Sequence, residues 1–203
     1  MINIILAGSN GFIGTFLYDS LNQNNSIYTL DHSRGLIEDN FSSLDLTQEK
    51  DVEDYVQKLQ KCDALIFLVG LAHKKGKGQD LDEFRCINKQ TLINLISKLD
   101  DSNKLPDKII FSSTISVYGE KINQAKYLED SLKNPSSPYA VTKLEAEEYL
   151  LDSYRLQSWI LRFAPVYSSD FQLNINRRTK VGSIYYKVGD GSKKLSLCNL
   201  ENI

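Results

Sequence analysis

A glycine-rich turn between two apolar stretches constrains this chain more than any other feature. Ile2 to Ala7 is a short, mainly apolar run that ends at glycine, as a buried parallel strand does. Gly8, Gly11 and Gly14 follow as G-x-x-G-x-x-G, and Phe12, Ile13, Phe16, Leu17 and Leu21 then recur at helical spacing. Strand, glycine turn and helix together form a unit that can hold a dinucleotide pyrophosphate at a helix N-terminus. One glycine permits the tight turn, one lets backbone approach the phosphates, and one lets helix pack on strand. An ordinary strand-to-helix turn uses the same residues, so the pattern counts only in context.

The rest of the chain repeats that alternation. Strands are predicted over Ser26 to Leu30, ending at Asp31, then Ala64 to Val69, Lys108 to Ser112 and Trp159 to Phe163, with a short one around Phe41 to Leu44. Val52, Tyr55, Val56 and Leu59 mark a helix with Thr47 as its N-cap. Phe84, Ile87, Thr91, Leu95 and Ile96 mark another. Pro138 helps to start a long helix from Tyr139 to Leu156. Ala72 to Gln79 reads as a loop. The expected fold class is α/β, a Rossmann-type doubly wound parallel sheet. Ser183 to Val188 and Lys193 to Cys198, around Gly-Asp-Gly, add a short C-terminal β-hairpin. The expected division is an NAD(P)-binding domain over 1–167 and a remnant of a substrate-binding region over 168–203.

Composition excludes several classes. Of 203 residues 41% are hydrophobic, enough for a buried core, and 24 basic against 26 acidic side chains give a net charge of −2. No basic excess points to nucleic acid. Cys62, Cys86 and Cys198 are odd in number and lack metal-ligand spacing, so no metal site is expected and the thiols read as reduced and cytoplasmic. The N-terminus lacks the basic region of a signal peptide, and no run approaches the length of a membrane span.

Asp31 lies at the end of the second strand, where an acid meets ribose hydroxyls in such folds; the alternative is that it is only a turn residue. A carboxylate there repels the extra phosphate of NADP, which favours NAD. Arg34, three residues on, could instead attract that phosphate. Asp45 and Leu46 follow the short strand and could contact adenine, but Asp before Thr47 is equally good turn chemistry. His32 reads as a turn residue and His73 as a solvated loop histidine. Lys74, Lys75 and Lys77 form a solvated face, with a lesser alternative of steering an anion.

Tyr139 and Lys143 stand one helical turn apart, and no other tyrosine has a lysine at that spacing. A free phenol, with a pKa of about 10, is a poor base at neutral pH. A nearby ammonium, or a nicotinamide cation, favours the phenolate and makes it a usable acid/base. Taken alone the pair also fits an exposed helix face. Phe111 to Gly119, Phe-Ser-Ser-Thr-Ile-Ser-Val-Tyr-Gly, adds hydroxyls at Ser112 and Thr114 where strand ends meet ligands. Thr114 could hydrogen-bond the same substrate hydroxyl as Tyr139, or it could cap a turn.

These motifs, in this order, resemble the extended short-chain dehydrogenase/reductase superfamily in its nucleotide-sugar epimerase branch. Gly8-x-x-Gly11-x-x-Gly14 matches the cofactor loop, with Asn10, Phe12 and Ile13 inside it. Leu68-Val69-Gly70-Leu71 matches a segment lining the cofactor, and Asn88 a structural asparagine that the resemblance also sets near substrate. Phe111 to Gly119 places the catalytic Ser/Thr at Thr114, and Pro138-Tyr139-Ala-Val-Thr-Lys143 matches the P-Y-x-x-S/T-K motif. Leu161 to Tyr167 resembles the strand beside the nicotinamide, with Phe163 against the cofactor. Asn174 to Arg178, Asn176 among them, corresponds to substrate-facing positions.

The resemblance implies a cytoplasmic, NAD-dependent epimerase of a nucleoside-diphosphate sugar that serves polysaccharide biosynthesis. Its reaction would be epimerisation at C4 through a 4-keto sugar, with Lys143 tuning Tyr139 and binding the cofactor ribose. It also implies a homodimer, for which the helix from Tyr139 could serve. Related dehydratases carry acidic residues where this chain has Ile115 and Ser116, which argues against dehydration. Family members run about half as long again, so the chain reads as C-terminally short. Two rivals stand beside the epimerase: an NADP-dependent sugar or carbonyl reductase supported by Arg34, and a non-catalytic dinucleotide-binding protein.

Overall fold

The computed structural model describes residues 1–33, 35, 40–72, 80–119, 126–187, 190 and 194–203. Arg34, His73, Lys74, Lys75 and Lys77 lie outside the described residues, as does most of the Gly-Asp-Gly turn with its flanks. The chain separates into two compact units, Met1–Arg162 and Phe163–Ile203.

In the first unit, β1 (Asn3–Ala7) leads through the glycine turn into α1 (Phe12–Leu21), and β2 (Ser26–Asp31) and the short β3 (Phe41–Ser43) follow. Next come α2 (Glu49–Lys58) and β4 (Ala64–Phe67). A single helical run comprises α3 (Leu81–Arg85), a π turn at Cys86–Gln90, and α4 (Thr91–Asp101). Then come β5 (Lys108–Thr114), a 3₁₀ turn (Ile115–Tyr118), α5 (Pro138–Ser153) and β6 (Ser158–Phe163). The sheet is parallel, in the order β3-β2-β1-β4-β5-β6. Chain order reverses direction between β1 and β4, and ligands of such sheets bind beyond the strand C-termini at that point.

The sheet is apolar on both faces because its inner strands are covered twice. Ile5 and Ala7 of β1, Leu65 and Phe67 of β4, and Ile109 and Phe111 of β5 pack into one core with Val52, Val56, Leu92, Leu95 and Leu150. The alternate residues Ile4, Leu6, Ala64 and Ile66 pack with Leu17, Tyr18 and Leu21 of α1. That period of two on both faces is why these strands read as unbroken apolar runs.

Local chemistry sets the helix ends. Ser137 caps α5 by accepting from the Ala140 N–H at 3.4 Å, and Pro138 occupies its first turn. The helix stops at Ser153, short of the expected Leu156, whose side chain is exposed. Thr47 is not the cap of α2: Gln48 occupies that position, without a side-chain cap bond. At the other end Lys104 donates to the carbonyls of Val56 and Gln57, at 2.8 and 2.9 Å, and closes α2. Among the described residues no helix is long and apolar enough to cross a membrane.

The second unit holds β7 (Val166–Tyr167), α6 (Leu173–Thr179), β8 (Lys180–Val181), β9 (Ile184–Tyr185), β10 (Cys198–Asn199) and a 3₁₀ turn at Leu200–Asn202. A hairpin is present, but shifted from its expected place. Ile184–Tyr185 pairs antiparallel with Lys180–Val181 around Gly182, whose φ of +61° suits a tight reversal. Cys198–Asn199 instead lies parallel to Val166–Tyr167.

Candidate active site

The glycine turn is held by backbone at both flanks. Gly8, at φ +86°, donates to the Leu30 carbonyl at 2.8 Å, and a Cβ added to it would come within 3.0 Å of the Val69 nitrogen. A Cβ at Gly14 would overlap the Gly8 carbonyl and lie 2.8 Å from the Ser9 Cα, so only glycine lets α1 start this close to β1. Gly11 stands at the cap of α1 without a side-chain cap bond, and no acidic residue occupies the first turn. Phe12 and Ile13, the first helical residues, are half-buried. A helix start with neither a side-chain cap nor an acid suits an anion. Among the described residues, Ser9 Oγ and Asn10 Oδ1 are buried without a hydrogen-bond partner. A cradle that rejects a Cβ, an uncapped helix start and two orphaned polar atoms fit a dinucleotide.

Asp31, at the end of β2, accepts from the Asn10 N–H at 3.1 Å and from the His32 N–H at 2.8 Å. It thus holds the glycine turn while its carboxylate stays partly open, with 13% of the side chain exposed. The His32 ring lies against the same carboxylate at 3.0 Å. Asp45 accepts from the N–H and hydroxyl of Thr47, at 2.9 and 2.7 Å, and those bonds lower its pKa. It forms the turn its sequence also allowed. Leu46 has its side chain buried in the core, and its carbonyl accepts from Asn94 at 2.9 Å.

Beside Gly8, the residues after β4 meet α5. The Lys143 ammonium is buried, donates to the Val69 carbonyl at 3.1 Å and lies 4.7 Å from the Phe111 ring centroid. A Cβ at Gly70 would come within 3.0 Å of Lys143 Nζ. Asn88 joins the same two elements. It is fully buried, accepts from the Leu71 N–H at 2.6 Å, and donates to the Leu71 carbonyl and Thr142 Oγ1 at 3.2 and 2.9 Å. Its amide ties the end of β4 to α5 and so positions the site. The π turn carries Asn88 at its centre, as such turns often carry functional side chains.

Thr114 ends β5, is 8% exposed, and accepts from the Ser116 N–H at 3.2 Å as the cap of the 3₁₀ turn. Its own hydroxyl proton is left to donate. Ser112 is half-buried, two residues earlier in the same strand. Ser113 between them is buried and donates to Glu147. Glu147, fully buried on α5, pairs with Arg162 at 2.7 Å. Arg162 also donates to the Tyr118 hydroxyl at 2.6 Å and the Glu129 carbonyl at 2.8 Å. This network was missed from the sequence. Its available signal was a carboxylate one turn beyond Lys143 and an arginine in an apolar strand. Phe163 and Asn176 belong to the second unit, where both are half-buried, Asn176 on α6.

The electrostatics run against the expected tuning. Burial raises the Tyr139 phenol above its ordinary value. Burial also lowers Lys143 from 10.5 to about 7, with the charge of Glu147 opposing the shift. Desolvation disfavours the charged form of both groups, and here it outweighs any attraction between phenolate and ammonium. Tyr139 is thus a neutral acid in the chain by itself.

A protein of Bacillus subtilis (strain 168) described as an uncharacterized UDP-glucose epimerase is 27% identical over 82% of this chain and 57% of its own length. The N-acetyl-α-D-glucosaminyl-diphospho-ditrans,octacis-undecaprenol 4-epimerase of Escherichia coli O157:H7 is 25% identical over 99% of this chain and 60% of its own. The chain therefore spans less than two thirds of these relatives. UDP-glucuronic acid 4-epimerase from Bacillus cereus, solved with NAD, superimposes with a TM-score of 0.66 at 27% identity, over 82% of this chain and 57% of that one. UDP-glucose 4-epimerase of Thermotoga maritima shares the fold with a TM-score of 0.80 at 23% identity, over 98% and 70%. The family model for NAD dependent epimerase/dehydratase proteins matches residues 4–199, and the chain belongs to that family.

Proposed function

We propose that the protein acts as an NAD-dependent epimerase of a nucleoside-diphosphate sugar, inverting the hydroxyl at C4. The observation that carries this reading is the contact between Lys143 and Val69, because it fixes the helix of Tyr139 against the strand end beside the glycine turn. A relative named as a UDP-glucose epimerase supports the substrate class, and one named as a 4-epimerase of a lipid-linked diphospho-sugar supports C4 as the position.

The glycine turn over 8–14, Asp31 and the Val69–Gly70 backbone would hold the dinucleotide. NAD, when bound, supplies a reversible hydride acceptor and a cationic ring. Tyr139 holds the proton of the C4 hydroxyl, and the added positive charge draws its raised pKa back down. Thr114 donates its free hydroxyl proton to the same oxygen and orients it. Lys143 keeps the tyrosine's helix in register and offers an amine whose charge responds near neutrality. Ile115 and Ser116, in place of acids, argue against dehydration. Arg34, the support for an NADP-linked reductase, lies outside the described residues.

The test is equilibration of UDP-glucose with UDP-galactose, and of their N-acetyl forms, by wild type and Tyr139→Phe. Interconversion by wild type, cut by about 10² to 10⁴-fold in the variant with NAD binding retained, is expected. NAD binding without turnover of any of these sugars would favour a non-catalytic dinucleotide-binding role.

A further inference from the structure

Thr114 is anchored from both sides by one ion pair. On its N-terminal side Ser113 donates to the Glu147 carboxylate. On its C-terminal side the 3₁₀ turn ends at Tyr118, whose hydroxyl accepts from Arg162 at 2.6 Å. Arg162 closes the ring with its bonds to Glu147 at 2.7, 3.0 and 3.2 Å. The guanidinium lies 5.1 Å from the Tyr118 ring centroid, and Tyr118 stacks on Tyr127 at 5.2 Å. Glu147 itself stands on α5, one turn beyond Lys143 and two beyond Tyr139, and is fully buried, with Arg162 14% exposed.

We propose that Glu147, acting with Arg162, is a positioning residue: the buried pair fixes the chain on both sides of Thr114 to the helix that carries Tyr139 and Lys143. The inference rests on the epimerase reading for the role of those three residues. Stability alone is a weak reason for such a pair, since desolvation offsets most of the attraction and an apolar pair of similar volume often serves as well. Geometry is a stronger one, because a carboxylate bonded to two strands, through Ser113 of β5 and Arg162 of β6, sets distances that an apolar contact leaves loose. Glu147 also supplies the negative charge that opposes the desolvation of Lys143, and its hydrogen bonds hold the Arg162 guanidinium charged.

The experiment compares wild type, Glu147→Gln and the double variant Glu147→Gln/Arg162→Met in the full chain. The double variant removes both charges and so keeps the fold if the single one loses it. For UDP-glucose, kcat is expected to fall by about 100-fold while KM stays within about threefold, as for a misplaced group. Amide exchange at Ser116 is expected to quicken about tenfold, with the amides of Leu6 and Leu65 unchanged. Unchanged kcat in an active double variant, or a loss confined to KM, would overturn the proposal. Should wild type turn over no sugar, the epimerase reading fails, and exchange at Ser116 together with NAD affinity decides this proposal by itself. Faster local exchange with weaker NAD binding then supports it, and unchanged values overturn it.

Discussion

The buried amine of Lys143 donates to the carbonyl of Val69 across 3.1 Å, and so joins α5 to the end of β4 beside the glycine turn. That bond places an ionisable group where the fold disfavours its charge. With a folded value of about 7 against an ordinary 10.5, the unfolded chain binds more protons between those values. Stability contributed through Lys143 therefore rises with pH across that window and is lost as pH falls toward about 7. Lys143→Met is expected to flatten the rise, by up to about 1.4 kcal/mol per pH unit for one proton. Urea unfolding of both proteins at several pH values checks this, and parallel curves would contradict it.

Gly14 makes a sharper demand than Gly11. A methyl at 14 meets the backbone of Gly8 and Ser9, which cannot swing aside, whereas one at 11 meets the Gly8 carbonyl at 3.3 Å. Gly14→Ala should cost about 1–3 kcal/mol and weaken NAD binding, with Gly11→Ala much milder in stability. Denaturant titration and NAD titration of both variants read the difference.

Asn88 offers a test of a positioning role. Removing its amide leaves both Leu71 backbone groups and Thr142 without that partner. Asn88→Ala should lose about 2 kcal/mol of stability. If Asn88 instead bound substrate, KM would rise with stability unchanged, and thermal melting alongside kinetics separates the two.

The parallel sheet was legible because β1, β4 and β5 are covered on both faces, which leaves continuous apolar runs such as Ala64 to Phe67. The glycine turn was legible because strand and helix flank it at fixed spacing. Other features depend on partners distant in sequence. Glu147 and Arg162 are two ordinary charges until β6 is set beside α5, and their pairing leaves no local period. The π turn inserts a residue without a composition signal, so Phe84 to Ile96 read as one regular helix. The burial of the Leu46 side chain was not legible either, because a short strand edge and a core position look alike in one dimension. Cys198 was assigned to a hairpin on local β propensity, while its observed partner is Val166.

The central claim, proton transfer at Tyr139 coupled to reversible oxidation at C4, is tested most directly with UDP-glucose deuterated at C4. The NAD-loaded protein is mixed with this sugar in ordinary water and the UDP-galactose formed is analysed for label. Retention of deuterium at C4 is the predicted result, since the hydrogen leaves and returns without meeting solvent. Loss of the label to water, or bound NAD with no product at all, would contradict it.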